Sequence, residues 1–316
     1  MSRRLCCFLL AVSAVLGLFS ACGEGDGAQT GAYYTFTDGL GVSISLPEKP
    51  ERVAVLFSSL GDIWLLSGGE LCITVGETVE RGLVDEDSVT LCDSVAGKSV
   101  NTEVLLAAEP DFVICSADIG AQREAAAMLN SSGIPAACFR VDSFEDYLAM
   151  LKICTDITQN REAYRVHGAE LAKRVEHLIA GTAGKDGGEI LFVRSGSGAS
   201  SAKAKTPEMH FAAAMLRDIG TENVASAAPV LLDGLSIEAV IAADPDIIFI
   251  SVMGNEEAAR AHMDSVLASE PWQALSAVRE GRVYYLPREL FQYKPNASWD
   301  EAYQYLIGKV YGESEK

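Results

Sequence analysis

Two stretches decide the fold: Val100-Asn-Thr-Glu-Val-Leu-Leu-Ala-Ala-Glu-Pro-Asp-Phe-Val-Ile-Cys-Ser116 and Leu235-Ser-Ile-Glu-Ala-Val-Ile-Ala-Ala-Asp-Pro-Asp-Ile-Ile-Phe-Ile-Ser251. They align without a gap, and 6 of 17 positions are identical: the Glu, both Ala, the Pro, the Asp and the final Ser. A repeat of this kind means that one supersecondary unit is built twice. Asn101 and Ser236 are expected N-caps, and Glu103 and Glu238 fall in the first helical turn, where a carboxylate suits the positive end of the dipole. Pro110 and Pro245 stop the helix. Phe112–Cys115 and Ile247–Ile250 are continuous apolar runs, as expected of strands covered on both faces.

The pattern extends outward from both copies. Arg52–Phe57 precedes the first as a strand and Glu189–Arg194 precedes the second. After the first come a helix over Ala121–Ser131 and a strand over Ala136–Val141. After the second come a helix over Glu256–Val266, a turn and helix over Pro271–Val278, and a strand over Arg282–Leu286. Strand and helix alternate in both halves, which predicts an α/β fold with two similar lobes, mostly parallel sheets and a cleft between them. The lobes are expected at 46–142 and 182–316. The segment 143–181 has apolar residues at broadly helical intervals and predicts a long helical connector, with Gly168 and 155–160 as weak points in any unbroken helix. Its charged run, from Arg161 to Glu176, reads as a solvated face.

The chain has 316 residues, 25 Lys+Arg, 44 Asp+Glu and a formal charge of −19. No basic cluster of the kind that binds nucleic acid appears in this acidic background. Four His leave little material for a His-built metal site. Ser2-Arg3-Arg4, the apolar run Leu5–Phe19 and Ser20-Ala21-Cys22 describe an export signal over 1–21, too short to span a bilayer. Removing it takes away two Arg and no acid, so the charge becomes −21. Phe19-Ser20-Ala21-Cys22 resembles a bacterial lipobox in which Cys22 is acylated; the alternative is an ordinary secretory signal cut near Ala21. The following Gly23–Gly31 run reads as a flexible tether within an N-terminal segment 22–45. Cys72, Cys92, Cys115, Cys138 and Cys154 lack zinc or redox spacing. Cys115 and Cys138 can pair if their strands are neighbours, and buried free thiols are the alternative.

Leu46-Pro-Glu-Lys-Pro-Glu-Arg-Val-Ala-Val-Leu56, the paired Glu-x-x-x-x-Ala-x-Pro-Asp (103–111 and 238–246 at their Glu and Asp) and Trp272–Leu286 together carry a resemblance. Over roughly residues 50–316 the chain resembles the substrate-binding lipoproteins of ABC importers, in the helical-backbone class that serves ferric siderophores, haem and cobalamin. The resemblance implies a monomeric binding protein, not an enzyme, with no cofactor of its own. It implies a ligand that is a ferric chelate, haem or corrinoid, and a permease dimer with its ATPase as partner. It implies only modest lobe closure. It also implies that Glu103 and Glu238 contact Arg on the two permease subunits; the same carboxylates also suit their own helices. The location implied is outside the cytoplasm, lipid-anchored to the cell membrane or periplasmic.

Cleft contacts are expected at the carboxyl ends of the strands. In the first lobe these are Ser58, Ser59, Trp64, Thr78, Arg81, Ser116 and Arg140. In the second they are Arg194, Lys203, Lys205, His210, Met253, Phe291, Tyr293 and Lys294. The cations would favour carboxylate, catecholate or phosphate groups, unless they pair with nearby acids. Trp64, Phe291 and Tyr293 are candidate flat walls, and His210 and Tyr293 candidate axial ligands for haem iron. Ala96-Gly-Lys-Ser99 is not a P-loop, because Cys92 stands where the first Gly is required. Gly-x-Ser-x-Gly is absent. An enzyme on the same two-lobe plan, chelatase-like for example, and a non-transport surface haem receptor remain the alternatives.

Overall fold

The computed structural model describes residues 31–93, 95–196, 198 and 201–312. The export signal, Cys22 and most of the tether lie outside the described residues. Residues from Ala32 onward form one compact unit. It opens with an antiparallel hairpin of β1 (Tyr34–Thr37) and β2 (Ser43–Leu46). Phe36 and Ile44 enter the core, so this part of 22–45 is folded and only the Gly-rich run before it reads as tether.

Five parallel strands follow: β3 (Val53–Val55), β4 (Ile73–Val75), β5 (Thr90–Asp93), β6 (Phe112–Ser116) and β7 (Ala136–Phe139), in the order β5-β4-β3-β6-β7. The second sheet has β8 (Glu189–Ser195), β10 (Glu222–Asn223), β11 (Ile247–Val252) and β12 (Val283–Tyr285) in the parallel order β10-β8-β11-β12. Strand β9 (Lys203–Ala204) is antiparallel to β8. The fold is therefore the expected α/β type with two mostly parallel sheets.

Side chains alternate across each sheet with period two. Val53, Val55, Phe112 and Ile114 enter one large core, while Ala54, Val113 and Cys115 enter another on the opposite face. Ile190, Phe192, Ile247 and Phe249 join the same large core, and Leu191, Val193, Ile248 and Ile250 face away from it. One continuous apolar cluster thus runs from the first sheet to the second. Trp299, almost wholly buried, sits inside it against Phe144, Phe211 and Tyr303, at ring distances of 5.6, 5.8 and 6.5 Å.

The repeat explains its own conserved spacing. Asp111 accepts backbone N–H bonds from Glu51 and Arg52 at 2.7 and 2.9 Å, and Asp246 accepts one from Glu189 at 2.9 Å. In each copy the Asp stitches the incoming strand to the strand before the repeat. Glu109 and Asp244, both just before the Pro, adopt left-handed backbone (φ 47° and 37°), which ends the helix where Pro disfavours continued αR. Asn101 caps its helix by accepting from Val104 at 3.2 Å. Ser236 does not: its hydroxyl donates to Glu238 instead, so the second expected cap is corrected to a side-chain pair.

The segment 143–181 is two pieces. The helix Phe144–Thr158 ends at Gln159, again left-handed (φ 60°), and Asn160 caps the next by accepting from Ala163. Tyr147 donates to the His167 carbonyl at 2.9 Å, so the second piece runs back along the first. Around Gly168 the helix widens to a π-turn over Arg165–Glu170, and the Tyr164 ring packs where a side chain at 168 would lie. The helix Leu171–Ala180 then meets the C-terminal helix Trp299–Tyr311, where Arg174 pairs with Asp300 at 2.6 Å. Among the described residues no helix is long and apolar enough to cross a membrane.

Candidate functional site

Loops at the carboxyl ends of both sheets meet. From the first lobe come Ser58 and Ser59 after β3, Glu77–Arg81 after β4, Ala117–Asp118 after β6 and Arg140–Asp142 after β7. From the second comes the run Arg288–Asn296 after β12. The Lys294 amide donates to Ser59 Oγ at 3.3 Å, and its ammonium donates to Asp142 at 3.0 Å. Asn296, fully buried and left-handed (φ 50°), donates to the Ser59 carbonyl at 2.9 Å and to Asp62 at 2.8 Å. Beside them a cavity of about 370 Å³ is lined by Glu80, Arg81 and Leu83 from one lobe and Arg288, Glu289 and Tyr293 from the other. Two guanidinium groups approach the Tyr293 ring, Arg81 at 4.4 Å and Arg288 at 5.1 Å from its centroid.

The two arginines expected at the cleft from the first lobe are paired. Arg81 meets Asp62 at 3.4 Å and Ser58 Oγ at 3.3 Å. Arg140 meets Asp118 at 2.7 Å and Asp142 at 3.8 Å, and its bond to Asp118 raises its pKa. Asp142 therefore joins Arg140 to Lys294 across the cleft. For these three cations the acid-paired alternative is the observed one.

The second lobe differs. Arg194 and Lys203 are direct partners across β8 and β9, placing two like charges side by side. Lys205 follows two residues on along the same face. Among the described residues no ion pair involves Arg194, Lys203 or Lys205. Burial lowers the Arg194 pKa, and burial with Arg194 and Lys203 lowers that of Lys205. His210 lies between these groups: burial, then Arg194, Lys294 and Lys205, hold its imidazole well below the ordinary range. It is accordingly neutral at neutral pH. Its Nδ1 accepts from the Ala212 amide at 3.2 Å, capping the helix Phe211–Asp218, and its ring stacks on Phe211 at 4.9 Å and lies tilted against Phe192 at 4.8 Å. A partly buried cationic cluster without carboxylate partners among the described residues has the charge and geometry to attract an anion.

Several expected contacts fall elsewhere. Trp64 is 2 % exposed, donates its indole N–H to the Glu70 carbonyl at 2.9 Å and packs on Phe112. Phe291 is 0 % exposed and rests against Tyr305. Both are core side chains and offer no wall to the cleft; of the three expected aromatics, Tyr293 alone lines it. Thr78 is buried in a hydroxyl pair with Thr74 at 2.8 Å. Ser116 is buried and its Oγ accepts from the Asp118 amide, shaping the loop that presents Asp118. Met253, half-buried, lies at the end of β11, its amide bonded to the Ser195 carbonyl. The loop with Gly97 is a packing loop: φ is +74°, a side chain would lie 2.0 Å from the Leu56 carbonyl, and Gln122 donates to both Leu56 and Gly97 at 2.7 Å.

Asp62, Asp142, Arg288 and Asn296 were not among the sequence candidates. Arg288 and Asp142 stand within three residues of a strand's carboxyl end, the signal that located the others. Asn296 had a weaker one, a residue tolerant of left-handed backbone directly after Pro295. Glu103 and Glu238 are exposed in first helical turns. Each of their helices leads into a parallel strand, so both carboxylates stand at the carboxyl edge of their sheets. The Glu238 pKa is lowered by its own backbone amide and by Ser236. No three His, Cys, Asp or Glu among the described residues converge as a metal site.

Comparison with known proteins fits this geometry. No curated protein matches the chain. Among solved structures, the siderophore-binding protein BauB, bound to two acinetobactin molecules and ferric iron, is similar with a TM-score of 0.70 and 16% identity, over 89% of this chain and 99% of its own. Staphylococcus aureus IsdE complexed with haem gives a TM-score of 0.67 at 15% identity, covering 84% and 100%. The periplasmic vitamin B12 binding protein BtuF of Vibrio cholerae gives 0.67 at 18%, covering 83% and 97%. At these identities the likeness is one of fold. Residues 53–290 match the model of one family. The chain belongs to the periplasmic binding protein family.

Proposed function

We propose that this protein is the ligand-capturing lipoprotein of an ABC importer, and that its ligand is an anionic ferric chelate. The observation that carries the ligand class is the cluster of Arg194, Lys203 and Lys205, which has no ion-pair partner among the described residues; Lys294, near the same His210, is paired with Asp142. Like charges held together beneath a cleft cost stability unless an anion neutralises them. The neighbours BauB and IsdE bind a ferric siderophore and haem, which supports iron as cargo. Of the two axial candidates for haem, His210 spends Nδ1 on a helix cap and the Tyr293 ring is engaged by two arginines. A chelator that saturates the iron itself is therefore favoured over haem, and an anionic one over a corrinoid. Cys22 as lipid attachment would hold the protein at the outer face of the membrane.

Closure is small in this reading. The largest apolar cluster contains side chains of both sheets and of the helices between them, so wide separation of the lobes would expose it. Glu103 and Glu238, one per lobe at the cleft edge, are the docking carboxylates for arginines of the two permease subunits. The double variant Glu103→Lys/Glu238→Lys should reduce chelate uptake by transporting cells more than about tenfold, since it turns two attractions into repulsions worth several kcal/mol together. Ligand affinity measured on the purified protein should stay unchanged. Normal uptake by the double variant contradicts the docking role.

A further inference from the structure

Cys115 and Cys138 are direct partners in the register of β6 and β7. Both are almost wholly buried, and both point into the apolar cluster on the outer face of the first sheet. Adjacent strands lie about 4.8 Å apart, and a disulfide accepts Cα separations of about 4.4–6.8 Å with both Cβ atoms on one side. The register is pinned. Asp38 accepts the Cys138 N–H at 2.9 Å, and Gly39 donates to the Cys138 carbonyl at 2.7 Å, so the β1–β2 turn grips the outer edge of β7. The two thiols also sense each other: a hydrogen bond between them raises the Cys115 pKa and lowers that of Cys138. Cys72, Cys92 and Cys154 have no such cross-strand partner among the described residues.

We propose that Cys115 and Cys138 form a cross-strand disulfide, installed during folding by a disulfide oxidant outside the cytoplasm. The family places the chain in that kind of compartment, where thiols in register are readily oxidised. In the first step the Cys138 thiolate attacks a sulfur of the oxidant disulfide and expels one thiolate, leaving a mixed disulfide. That thiolate takes the Cys115 proton, and the Cys115 thiolate attacks the Cys138 sulfur and expels the second thiolate, which takes up the proton Cys138 gave to solvent on ionising. Two protein thiols are oxidised and one oxidant disulfide becomes two thiols. Burial explains the timing: the folded chain shields both sulfurs, so exchange precedes the docking of the helix Gly120–Ser131 over them. The bond would tie β6 to β7 directly beneath the Asp118–Arg140 pair at the cleft rim. The inference does not depend on which ligand the cleft holds.

The test is a thiol map of the wild-type protein. The reduced, urea-unfolded chain is refolded in a mixture of oxidised and reduced glutathione, then unfolded, alkylated with iodoacetamide and digested with trypsin. The expected product is the peptide containing Cys115 joined to the one containing Cys138, with Cys72, Cys92 and Cys154 alkylated. Refolding in reduced glutathione alone, as the control, should give all five alkylated. Alkylated Cys115 and Cys138 after oxidative refolding, or either one joined to a different cysteine, would overturn the proposal. Because the map needs no variant, failure of a mutant to fold does not obscure it.

Discussion

Replacing Arg194 and Lys205 together by Glu is expected to weaken binding of an anionic ferric chelate at least about 100-fold, some 3 kcal/mol or more. The side chains lie on one face of the β8–β9 hairpin, partly buried, with burial lowering the pKa of both. In that setting a lost charge-assisted bond is not replaced by water at equal strength. The informative part is what happens to stability. Arg194 stands opposite Lys203, so Arg194→Glu exchanges a repulsive cross-strand pair for an attractive one. The thermal midpoint of the variant should hold or rise while affinity collapses. This opposition of function and stability is the signature of a binding cluster, whereas a structural one would lose both together. Lys205→Arg, which keeps the charge, should bind close to the wild-type level. Retained affinity in the double Glu variant, or a lower midpoint with normal affinity, would contradict the assignment.

The largest expected effect on stability comes from Trp299→Ala. Trp299 is 1 % exposed and touches Phe144 at the start of the helical connector and Phe211 in the second lobe. Removing it leaves a cavity in the cluster that both sheets share, at a cost of about 3–5 kcal/mol for such a truncation. The urea midpoint should fall accordingly, and the apparent ligand affinity with it, because the same cluster fixes the lobes relative to one another. Trp299→Phe should be far milder. The indole N–H is buried without a partner, so phenylalanine removes an unsatisfied donor along with some volume. A loss under about 1 kcal/mol in the Ala variant would mean that the lobes do not depend on this contact.

The repeated helix–Pro-Asp–strand unit made the architecture legible, because burial on both sheet faces leaves continuous apolar runs and Pro marks the helix ends. Even the Asp of each copy has a mechanical role that its position foreshadowed. What the repeat could not announce was the short strand Ile73–Val75, or the helix Trp299–Tyr311 that returns across the connector. That strand is three residues long and, unlike Val53–Val55 and Val283–Tyr285, lies outside the pattern shared by the two halves. The place of the C-terminal helix depends on tertiary packing of Trp299, Tyr303 and Leu306. Carboxyl-end logic pointed to Arg194, Lys203, Lys205, Tyr293 and Lys294; the structure sets the first three together on β8 and β9 and Tyr293 in the cavity between the lobes. The same logic misjudged Trp64 and Phe291, since aromatic residues near a strand end serve a core as readily as a ligand. Pairing partners such as Asp142 and Asn296 depend on contacts between residues more than 150 positions apart, which no local pattern records.

The most direct measurement is calorimetric titration of the wild-type protein with a ferric tris-catecholate, ferric citrate, haem and cyanocobalamin, each at low and at high salt. An anionic ferric chelate should bind most tightly, at micromolar concentration or below, and should weaken as salt screens the Arg194–Lys203–Lys205 cluster. Tightest binding of cyanocobalamin with no salt dependence, or binding of neither ferric chelate, would contradict the account.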